Sequence, residues 1–425
     1  MNEKSKIKKQ VLNLIKNKKK INKSKIYISE KVYNEQEIIN ALDSILEFNL
    51  TEGKYSKKVE QEFKNLTNSE YFYLVNSGSS ANLLAFMALT SPSLKERRIK
   101  RGDYVIVTPC CFPTTITPIL QYGAVPTFVD CKLDGNINEN LIEKNITTKT
   151  KAIVVAHTLG KPNNLEIIKN ICDKYNLWLI GDCCDALGAL YKGIPVEHYH
   201  DISTYSFYPA HHITCGEGGG ILTNNSLLAK IIKSMRDWGR DCICNPGEDN
   251  KCGKRFSRTY ETLPLGYDHK YVYSELGYNL KITDIQASIL LAQLKKLPKF
   301  IKKRNENHTY LYKKLSNFDD FLILPEIEEK EIIPSWFGFL IIVKPNELFK
   351  RKDLVNYLEY YNIQTRPLFA GNILKHPCIL NNNLKIKKEK KYYYADFLLE
   401  HAFWIGIHPG LNKEKLDFIV NCFDN

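Results

Sequence analysis

A run of small polar residues at positions 76–82, NSGSSAN, follows an apolar stretch and opens a predicted helix. Backbone N–H groups at the start of a helix, together with small hydroxyl side chains, can bind a phosphate group. A simple helix N-cap would explain Ser77 or Ser79 equally well. Taken alone, the segment is therefore a weak candidate for a phosphate site.

Two further segments carry groups that could act on a bound cofactor. Asp182 follows the apolar run 177–180. Ligands of open α/β sheets bind at the carboxyl ends of strands, where an ionised Asp can pair with a protonated pyridine nitrogen. A helix-capping aspartate is the alternative. The segment 206–219, SFYPAHHITCGEGG, contains His211 and His212, whose imidazoles can move protons near neutral pH.

The elements that must position these residues alternate along the chain. From about residue 70, short runs rich in β-branched and aromatic residues alternate with helical segments. This alternation predicts an α/β domain with a largely parallel sheet. The predicted strands are 71–75, 104–108, 127–129, 152–156, 177–180, 204–207 and 220–223, and the helices between them include 81–89 and 164–175.

The two ends of the chain differ from this middle part. Residues 1–55 are polar and are predicted to be helical, with a turn at 51–53. A helical stretch begins at about residue 284 and runs to about 312, and Pro298 is expected to break or kink it. The last 110 residues predict a smaller α+β region, with a strand at 339–343 and a helix at 352–361.

Composition limits the classes of protein that the chain can belong to. With 425 residues, 44% hydrophobic and 25% charged, it is long enough for two or three domains of an ordinary globular protein. Residues 1–25 carry ten Lys and one Glu, so they hold +9 of the formal +13. We expect a solvated helix or arm there, and no specific nucleic-acid site. A signal peptide and a membrane span are not expected, so the cytoplasm is the predicted location.

The order and spacing of these segments resemble the pyridoxal-phosphate sugar aminotransferases of the DegT/DnrJ/EryC1/StrS family, from about residue 35 to the C-terminus. The resemblance implies the aspartate-aminotransferase fold (fold type I), with a large domain at 35–295 around a mostly parallel seven-stranded sheet. An extension at 1–34 and a smaller C-terminal α+β domain at 296–425 complete the expected organisation. The usual Schiff-base lysine is His211 here, and an imidazole cannot form that imine.

The resemblance also implies roles for individual residues. Gly78, Ser79 and Ser206 would bind the cofactor phosphate, and Asp182 the pyridine nitrogen. Phe112 would stack on the ring, and Asp185, where the family usually has Gln, would lie near the ring hydroxyl. Asn279 would reach the phosphate of a neighbouring subunit, which implies a homodimer with shared active sites. Arg366 would contact the diphosphate of a nucleotide sugar, although a surface salt bridge is the alternative.

A narrower resemblance is to the CDP-4-keto-6-deoxyglucose 3-dehydrases, in segments 206–219, 237–244 and 265–271. That branch has a histidine in place of the lysine, free pyridoxamine 5'-phosphate (PMP) and a 2Fe–2S cluster. Its cysteines are separated by 57, one and seven residues, and Cys184, Cys242, Cys244 and Cys252 reproduce these gaps. Four thiolates could equally bind a structural zinc.

The dehydrase branch implies loss of the C3 hydroxyl from a nucleotide-linked 4-keto-6-deoxyhexose, with His211 as the base. Electrons would come through the cluster from an NAD(P)H- and flavin-dependent reductase. His212 would have a structural or substrate-binding role. Cluster-bearing enzymes for TDP sugars, a cluster-free GDP-sugar 3-dehydratase and a non-catalytic protein of the same fold are the alternatives.

The other cysteines have no motif context. Cys183 is expected to point away from Cys184, because neighbours in extended backbone alternate faces. The remaining seven are predicted to be ordinary packing residues: Cys110, Cys111, Cys131, Cys172, Cys215, Cys378 and Cys422.

Overall fold

The computed structural model of the chain describes residues 3–16, 25–242, 244, 248–325 and 331–424. Its strands, in chain order, are β1 (Tyr71–Val75), β2 (Tyr104–Val107), β3 (Val125–Phe128), β4 (Thr150–Ala156), β5 (Trp178–Asp182), β6 (Leu190–Tyr191), β7 (Ile194–Pro195), β8 (Ile202–Ser206), β9 (Gly219–Thr223), β10 (Leu322–Ile323), β11 (Ile332–Ile333), β12 (Gly338–Val343), β13 (Thr365–Pro367) and β14 (Ala402–Gly406). The α-helices are α1 (Glu3–Lys16), α2 (Glu35–Glu47), α3 (Lys54–Thr67), α4 (Gly78–Ala88), α5 (Pro113–Tyr122), α6 (Leu165–Tyr175), α7 (Ser226–Arg236), α8 (Asp284–Leu294), α9 (Leu297–Leu315), α10 (Arg351–Tyr360), α11 (Pro377–Leu380), α12 (Tyr393–His401) and α13 (Lys413–Asp424).

The seven strands predicted from the sequence form one sheet, in the order β1-β9-β8-β5-β4-β2-β3. Strands β8, β5, β4, β2 and β3 are parallel, and β9 pairs antiparallel with both of its neighbours. Strands β5 and β8 are buried along their whole length, as expected for a sheet that is covered on both faces. The predicted α/β fold around a mostly parallel seven-stranded sheet is confirmed.

The two faces of the sheet pack against different apolar clusters. Along β5, Leu179 joins a cluster with Ile153, whereas Ile180 joins the largest cluster, with Val105. Because side chains alternate along a strand, this apolar run supplies both faces. The parallel strands then end at one common edge, from which the connecting loops project.

A second, antiparallel sheet in the order β10-β12-β14-β13 follows toward the C-terminus. Leu340 of β12 and Trp404 of β14 are buried in the cluster that contains Val105 of the large sheet. The second sheet is therefore packed directly against the first. This packing brings residues from the end of the chain near the edge at which the parallel strands terminate.

The N-terminal part is only partly helical, which corrects the prediction for residues 1–55. The segment after α1 includes 17–24, outside the described residues, and then Ile26, which pairs with the backbone next to Ile363. The N–H of Ile26 donates to the Asn362 carbonyl at 3.0 Å, and the N–H of Gln364 donates to Ile26 at 2.9 Å. Pairing with a distant edge overrides the local helical preference.

The helical stretch that begins at Asp284 is interrupted just before Pro298, as predicted, because proline has no N–H for the carbonyl of Leu294, four residues earlier, where α8 ends. The break lies between α8 and α9, and Pro298 is the second residue of α9. A proline fits there because the first turn of a helix needs no N–H for an internal hydrogen bond.

Candidate active site

The predicted phosphate site lies where β1 ends and α4 begins. The side chain of Ser77 caps this helix by accepting from the N–H of Ser80 at 3.0 Å, so the capping alternative is correct for Ser77. A Cβ at Gly78 would lie 2.5 Å from the Cβ of Ser206, which ends β8. Only glycine allows this approach. The start of α4 and Ser206 consequently lie side by side, and N–H groups at a helix start together with a hydroxyl are suited to a phosphate.

Asp182 ends β5 and is buried with two partners that sequence reasoning missed. Its Oδ2 accepts from Asn82 Nδ2 and from Thr115 Oγ1, both at 2.8 Å. Asn82 in turn accepts from the Thr204 hydroxyl at 2.6 Å. These neutral donors fix the orientation of the carboxylate. A fixed anion at a strand end suits a cationic pyridine nitrogen.

His211 lies in the turn after β8, with its Nδ1 atom 3.4 Å from Oδ1 of Asp185. Burial raises the pKa of the Asp185 carboxyl, and the neighbouring His211 opposes that rise. The Asp185 carboxyl thus contacts His211, in addition to its predicted place near the hydroxyl of the cofactor ring. A carboxylate on Nδ1 favours the tautomer that leaves Nε2 free to take a proton.

Two residues from distant elements support the His211 turn from behind. Arg304 of α9 donates to the carbonyl of His211 at 3.2 Å and to that of Phe337 at 2.9 Å. The Phe337 ring packs 5.1 Å from the His211 ring, centroid to centroid. Burial lowers the pKa of Arg304 to about 10, and Asp185 opposes this effect. Neither residue was identified from the sequence, since nothing in the chain order links them to His211.

His212 has a different environment from its neighbour. Its side chain is buried, and Nε2 lies 2.9 Å from the carbonyl of Ser335. Burial lowers the pKa of His212 well below its usual value, so the ring is neutral. The geometry favours the structural role over the substrate contact.

Three other predicted site residues are solvent exposed. Phe112 precedes α5, the helix that carries Thr115, and its side chain is 52% exposed. Asn279 forms an isolated bridge with Asp237 and is also exposed. Arg366 lies on β13 and donates to the carbonyl of Thr365 at 2.7 Å. Their predicted contacts with cofactor, neighbouring subunit and substrate stay predictions.

Three of the four predicted cluster cysteines lie in the irregular segment between α7 and α8, in which Ile243 and 245–247 are outside the described residues. Each of the three sulfurs accepts a backbone N–H at 3.4 Å: Cys242 from Cys244, Cys244 from Lys251, and Cys252 from Lys254. N–H groups directed at sulfur are a usual feature of iron–sulfur sites.

Cys184 lies two residues after Asp182, and its N–H approaches Asp182 Oδ1 at 3.3 Å. Burial raises the pKa of the Cys184 thiol, so a metal would have to displace a proton to bind there. No three of the four predicted ligands have their sulfurs within 4.8 Å of one another, although all four are described. Thiolates on one tetrahedral zinc would be about 4 Å apart. A zinc site of three or more of these thiolates is therefore not formed, whereas a 2Fe–2S cluster takes two thiolates on each iron, so the donor types fit a cluster.

Another set of potential ligands lies under the sheet. Among the described residues, the one group of three whose ligand atoms lie within 4.8 Å is His157, Cys183 and His200, all buried. Asn163 donates its backbone N–H to His157 Nδ1 at 3.1 Å. This bond assigns the ring proton to Nε2, so neutral His157 has no free lone pair for a metal. The Cys183 sulfur lies 3.9 Å from Nδ1 of His200, and its direction away from Cys184 stays a prediction.

Six of the seven cysteines predicted as packing residues are buried, and the seventh, Cys378, is exposed. The prediction was wrong for Cys378, since the short helix α11 leaves its side chain at the surface.

The chain is similar to several known proteins. The DegT/DnrJ/EryC1/StrS aminotransferase family matches residues 32–424. The chain is 48% identical over 397 residues to the lipopolysaccharide biosynthesis protein RfbH of Salmonella typhimurium, covering 93% of this chain and 90% of that protein. It is 44% identical to dTDP-4-dehydro-2,6-dideoxy-D-glucose 3-dehydratase of Saccharopolyspora spinosa, with 92% and 84% covered.

A solved structure is also similar, namely E. coli GDP-4-keto-6-deoxy-D-mannose-3-dehydratase with bound hydrated PLP. Its TM-score is 0.84 at 28% identity, with 93% of this chain and 98% of that chain covered. In the part of this chain that the structure describes, no helix has the length and apolar character needed to span a membrane.

Proposed function

We propose a function from one premise: the chain belongs to the DegT/DnrJ/EryC1/StrS aminotransferase family. The family resemblance predicted from the sequence motifs is therefore confirmed. Within this family, we infer that the chain is a PMP-dependent 3-dehydrase that removes the C3 hydroxyl of a nucleotide-linked 4-keto-6-deoxyhexose. The observation that carries the proposal is the pair His211 and Asp185, 3.4 Å apart at the edge where the Asp182 strand ends.

The phosphate of PMP would be held by the first turn of α4, with Gly78, Ser79 and Ser206. Asp182 would pair with its pyridine nitrogen, and Phe112 would cover the ring. When bound, PMP supplies a primary amine for the C4 ketone and a ring that withdraws electrons from the adjoining carbon. Because position 211 is a histidine, the protein has no lysine there to hold the cofactor covalently, and the amine is left for the sugar.

His211 would remove the proton from the carbon that bears the amine, taking it on Nε2. Asp185 holds the opposite ring nitrogen and stabilises the positive charge that forms on the ring. The buried Arg304 and Phe337 limit movement of the turn, so that the base keeps one orientation. A positioned general base of this kind contributes about 10²- to 10⁴-fold to a proton transfer. Loss of the C3 hydroxyl as water then leaves an unsaturated sugar.

Completing the C3 deoxygenation requires two electrons. We infer that Cys184, Cys242, Cys244 and Cys252 hold a 2Fe–2S cluster, which supplies one-electron transfer when bound. The three N–H groups directed at the sulfurs support this assignment. Cys184 supports it further, since it adjoins Asp182 and would connect the cluster with the cofactor. An NAD(P)H-dependent reductase would be the electron source.

The nucleotide is proposed to be CDP, with TDP as the nearest alternative. Arg366 would bind its diphosphate, and a second subunit would complete the site through Asn279. The similarity to a dTDP-sugar 3-dehydratase supports a 3-dehydrase, and the similarity to RfbH supports a role in lipopolysaccharide biosynthesis; neither settles the nucleotide. The protein would act in the cytoplasm, in the synthesis of 3,6-dideoxysugars such as those of a lipopolysaccharide.

A second candidate is a cluster-free 3-dehydratase for a GDP sugar. It is favoured by the similarity to the E. coli GDP-sugar enzyme. Turnover with CDP-, TDP- and GDP-4-keto-6-deoxyhexoses, each with and without a reductase, tests the two proposals. Deoxygenation that requires the reductase supports the cluster-bearing enzyme. Turnover of the GDP sugar alone, with no need for electrons, would contradict it.

A further inference from the structure

Cys252 contacts a buried imidazole that has no part in the proposed reaction. Nδ1 of His269 lies 3.6 Å from the Cys252 sulfur, within reach of a weak hydrogen bond. The His269 side chain is 1% exposed, although it belongs to a segment that is largely at the surface. A polar ring buried in such a segment needs partners at both nitrogens.

The second ring nitrogen faces a carboxylate. Nε2 of His269 lies 3.5 Å from Oδ2 of Asp241, the residue before Cys242. The same oxygen accepts from Nη1 of Arg258 at 2.7 Å and from the hydroxyl of Tyr260 at 2.8 Å. Arg258 and Tyr260 thus hold the Asp241 carboxylate, which cannot turn away from the imidazole without breaking these two bonds.

The backbone holds the ring in the same place. The N–H of His269 donates to the carbonyl of Arg255 at 2.9 Å, and the N–H of Asp241 donates to that of Val272 at 2.9 Å. Both residues are therefore fixed at the main chain as well as at the side chain. The arrangement, carboxylate to imidazole to sulfur, is the one in which an outer partner orients a residue next to a metal ligand.

We propose that His269 is a positioning residue for Cys252, and that Asp241 holds it in that role. Nδ1 faces the sulfur at 3.6 Å, so the fixed ring sets the direction in which the Cys252 side chain points. The inference rests on the proposed function, because Cys252 is a ligand of the proposed cluster. A donor to a cluster sulfur stabilises the reduced, more negative state, and so raises the reduction potential.

The test compares four full-length proteins purified without oxygen: wild type, His269→Leu, His269→Gln and His198→Leu. Glutamine keeps an N–H donor, whereas leucine removes it. His198 is the matched control, a partly buried histidine that contacts a backbone carbonyl at 2.7 Å in another part of the chain. The readouts are iron and sulfide content, midpoint potential, and the rate of iron loss to a chelator.

We expect His269→Leu to lower the midpoint potential and to lose iron about 10- to 100-fold faster. His269→Gln should lie close to wild type, and His198→Leu should match it. An unchanged potential and an unchanged rate of iron loss in His269→Leu would overturn the proposal. A fall of equal size in His198→Leu would also overturn it, because the effect would then be a general loss of stability.

A second measurement separates this inference from the proposed cluster. The metal-free proteins are titrated with Co²⁺, whose thiolate complexes absorb strongly. If wild type holds no iron yet binds Co²⁺, the proposal of a 2Fe–2S cluster is wrong. Co²⁺ binding that is about 10- to 100-fold weaker in His269→Leu would still support the positioning role. Equal Co²⁺ affinity in both proteins, or no cobalt–thiolate absorption in wild type, would overturn it.

Discussion

The cofactor pocket and the cysteine segment are built in opposite ways. The pocket lies on the ends of buried strands, and its polar groups belong to β5, β8 and the start of α4. The described residues between α7 and α8 contain one short 3₁₀ turn, His269–Tyr271, and no strand or α-helix. Ion pairs such as Arg255 with Asp268 and Arg258 with Asp241 hold that segment instead.

This difference indicates that the two regions have different structural requirements. A general base must keep its orientation, and packed strands supply that rigidity. The ligands of a metal cluster can be drawn together by the metal itself, since binding free energy offsets the cost of ordering a loop. A segment without regular structure thus suffices for the proposed cluster, and the two halves of the reaction can be disabled separately.

The largest expected effect comes from Cys252→Ser, which removes one ligand from the segment and leaves the pocket intact. We expect reductive turnover to be lost, while the exchange of the proton at the amine-bearing carbon continues at the wild-type rate. Cys378→Ser is the control, because this cysteine is exposed and outside every predicted motif. Exchange that disappears together with turnover would show that the two regions are not separable.

His211→Asn is the converse test, because it changes the pocket and leaves the cysteine segment intact. Proton exchange should fall by about 10²- to 10⁴-fold, because a positioned base is lost, while bound PMP and iron content stay at wild-type levels. Exchange is measured by loss of tritium or deuterium from labelled PMP. Retained exchange would move the base role to another group, first to His212 despite its burial.

A smaller effect is expected at Arg366, which is exposed on β13. Arg366→Ala should raise KM for the nucleotide sugar by about tenfold or more, since a charged hydrogen bond to a diphosphate contributes about 1.5–3 kcal/mol. The value of kcat should change little. Arg351→Ala, at the start of α10, removes one positive charge from the same C-terminal part of the chain and is the control. An unchanged KM would favour the surface salt-bridge alternative.

The smallest effect concerns the scaffold that gives the pocket its rigidity. His308 is buried and stacks on Trp336 with centroids 3.8 Å apart, and burial lowers its pKa from 6.5 to about 3. The unfolded chain therefore binds more protons than the folded chain between these values, and stability falls as the pH drops below 6.5. At pH 5 the loss is about 2 kcal/mol from this residue.

His308→Phe keeps the stacking and removes this titration. We compare the urea midpoints of the variant and wild type at pH 5 and at pH 7.5. The midpoint of the variant, relative to that of wild type, should be higher at pH 5 than at pH 7.5. Urea unfolding at both pH values measures the effect, with His401→Phe, a less buried position on α12, as the control. An equal difference at both pH values would contradict the assigned cause.

The sequence predicts the pocket better than the segment, for a physical reason. Strands that are buried on both faces appear as apolar runs, so the seven strands and Asp182 could be found from local pattern alone. Asn82 and Thr115 are 100 and 67 residues from Asp182, and Arg304 is 93 from His211. Contacts over such separations arise from the topology of the sheet, and no local pattern encodes them.

The cysteine spacing could be recognised only through its resemblance to a family, because the loop that carries it has no periodicity. Pattern also failed at Ile26, which pairs with the edge next to Ile363. There, pairing with a distant element decided the local conformation.

The most direct test of the account is the metal content of the wild-type protein purified without oxygen. We predict a brown protein with about two irons and two acid-labile sulfides per chain, which gains an electron paramagnetic resonance signal on one-electron reduction. A colourless protein that contains zinc and no iron, yet still exchanges the proton through His211, would contradict the claim that this chain unites a base-driven elimination with electron transfer.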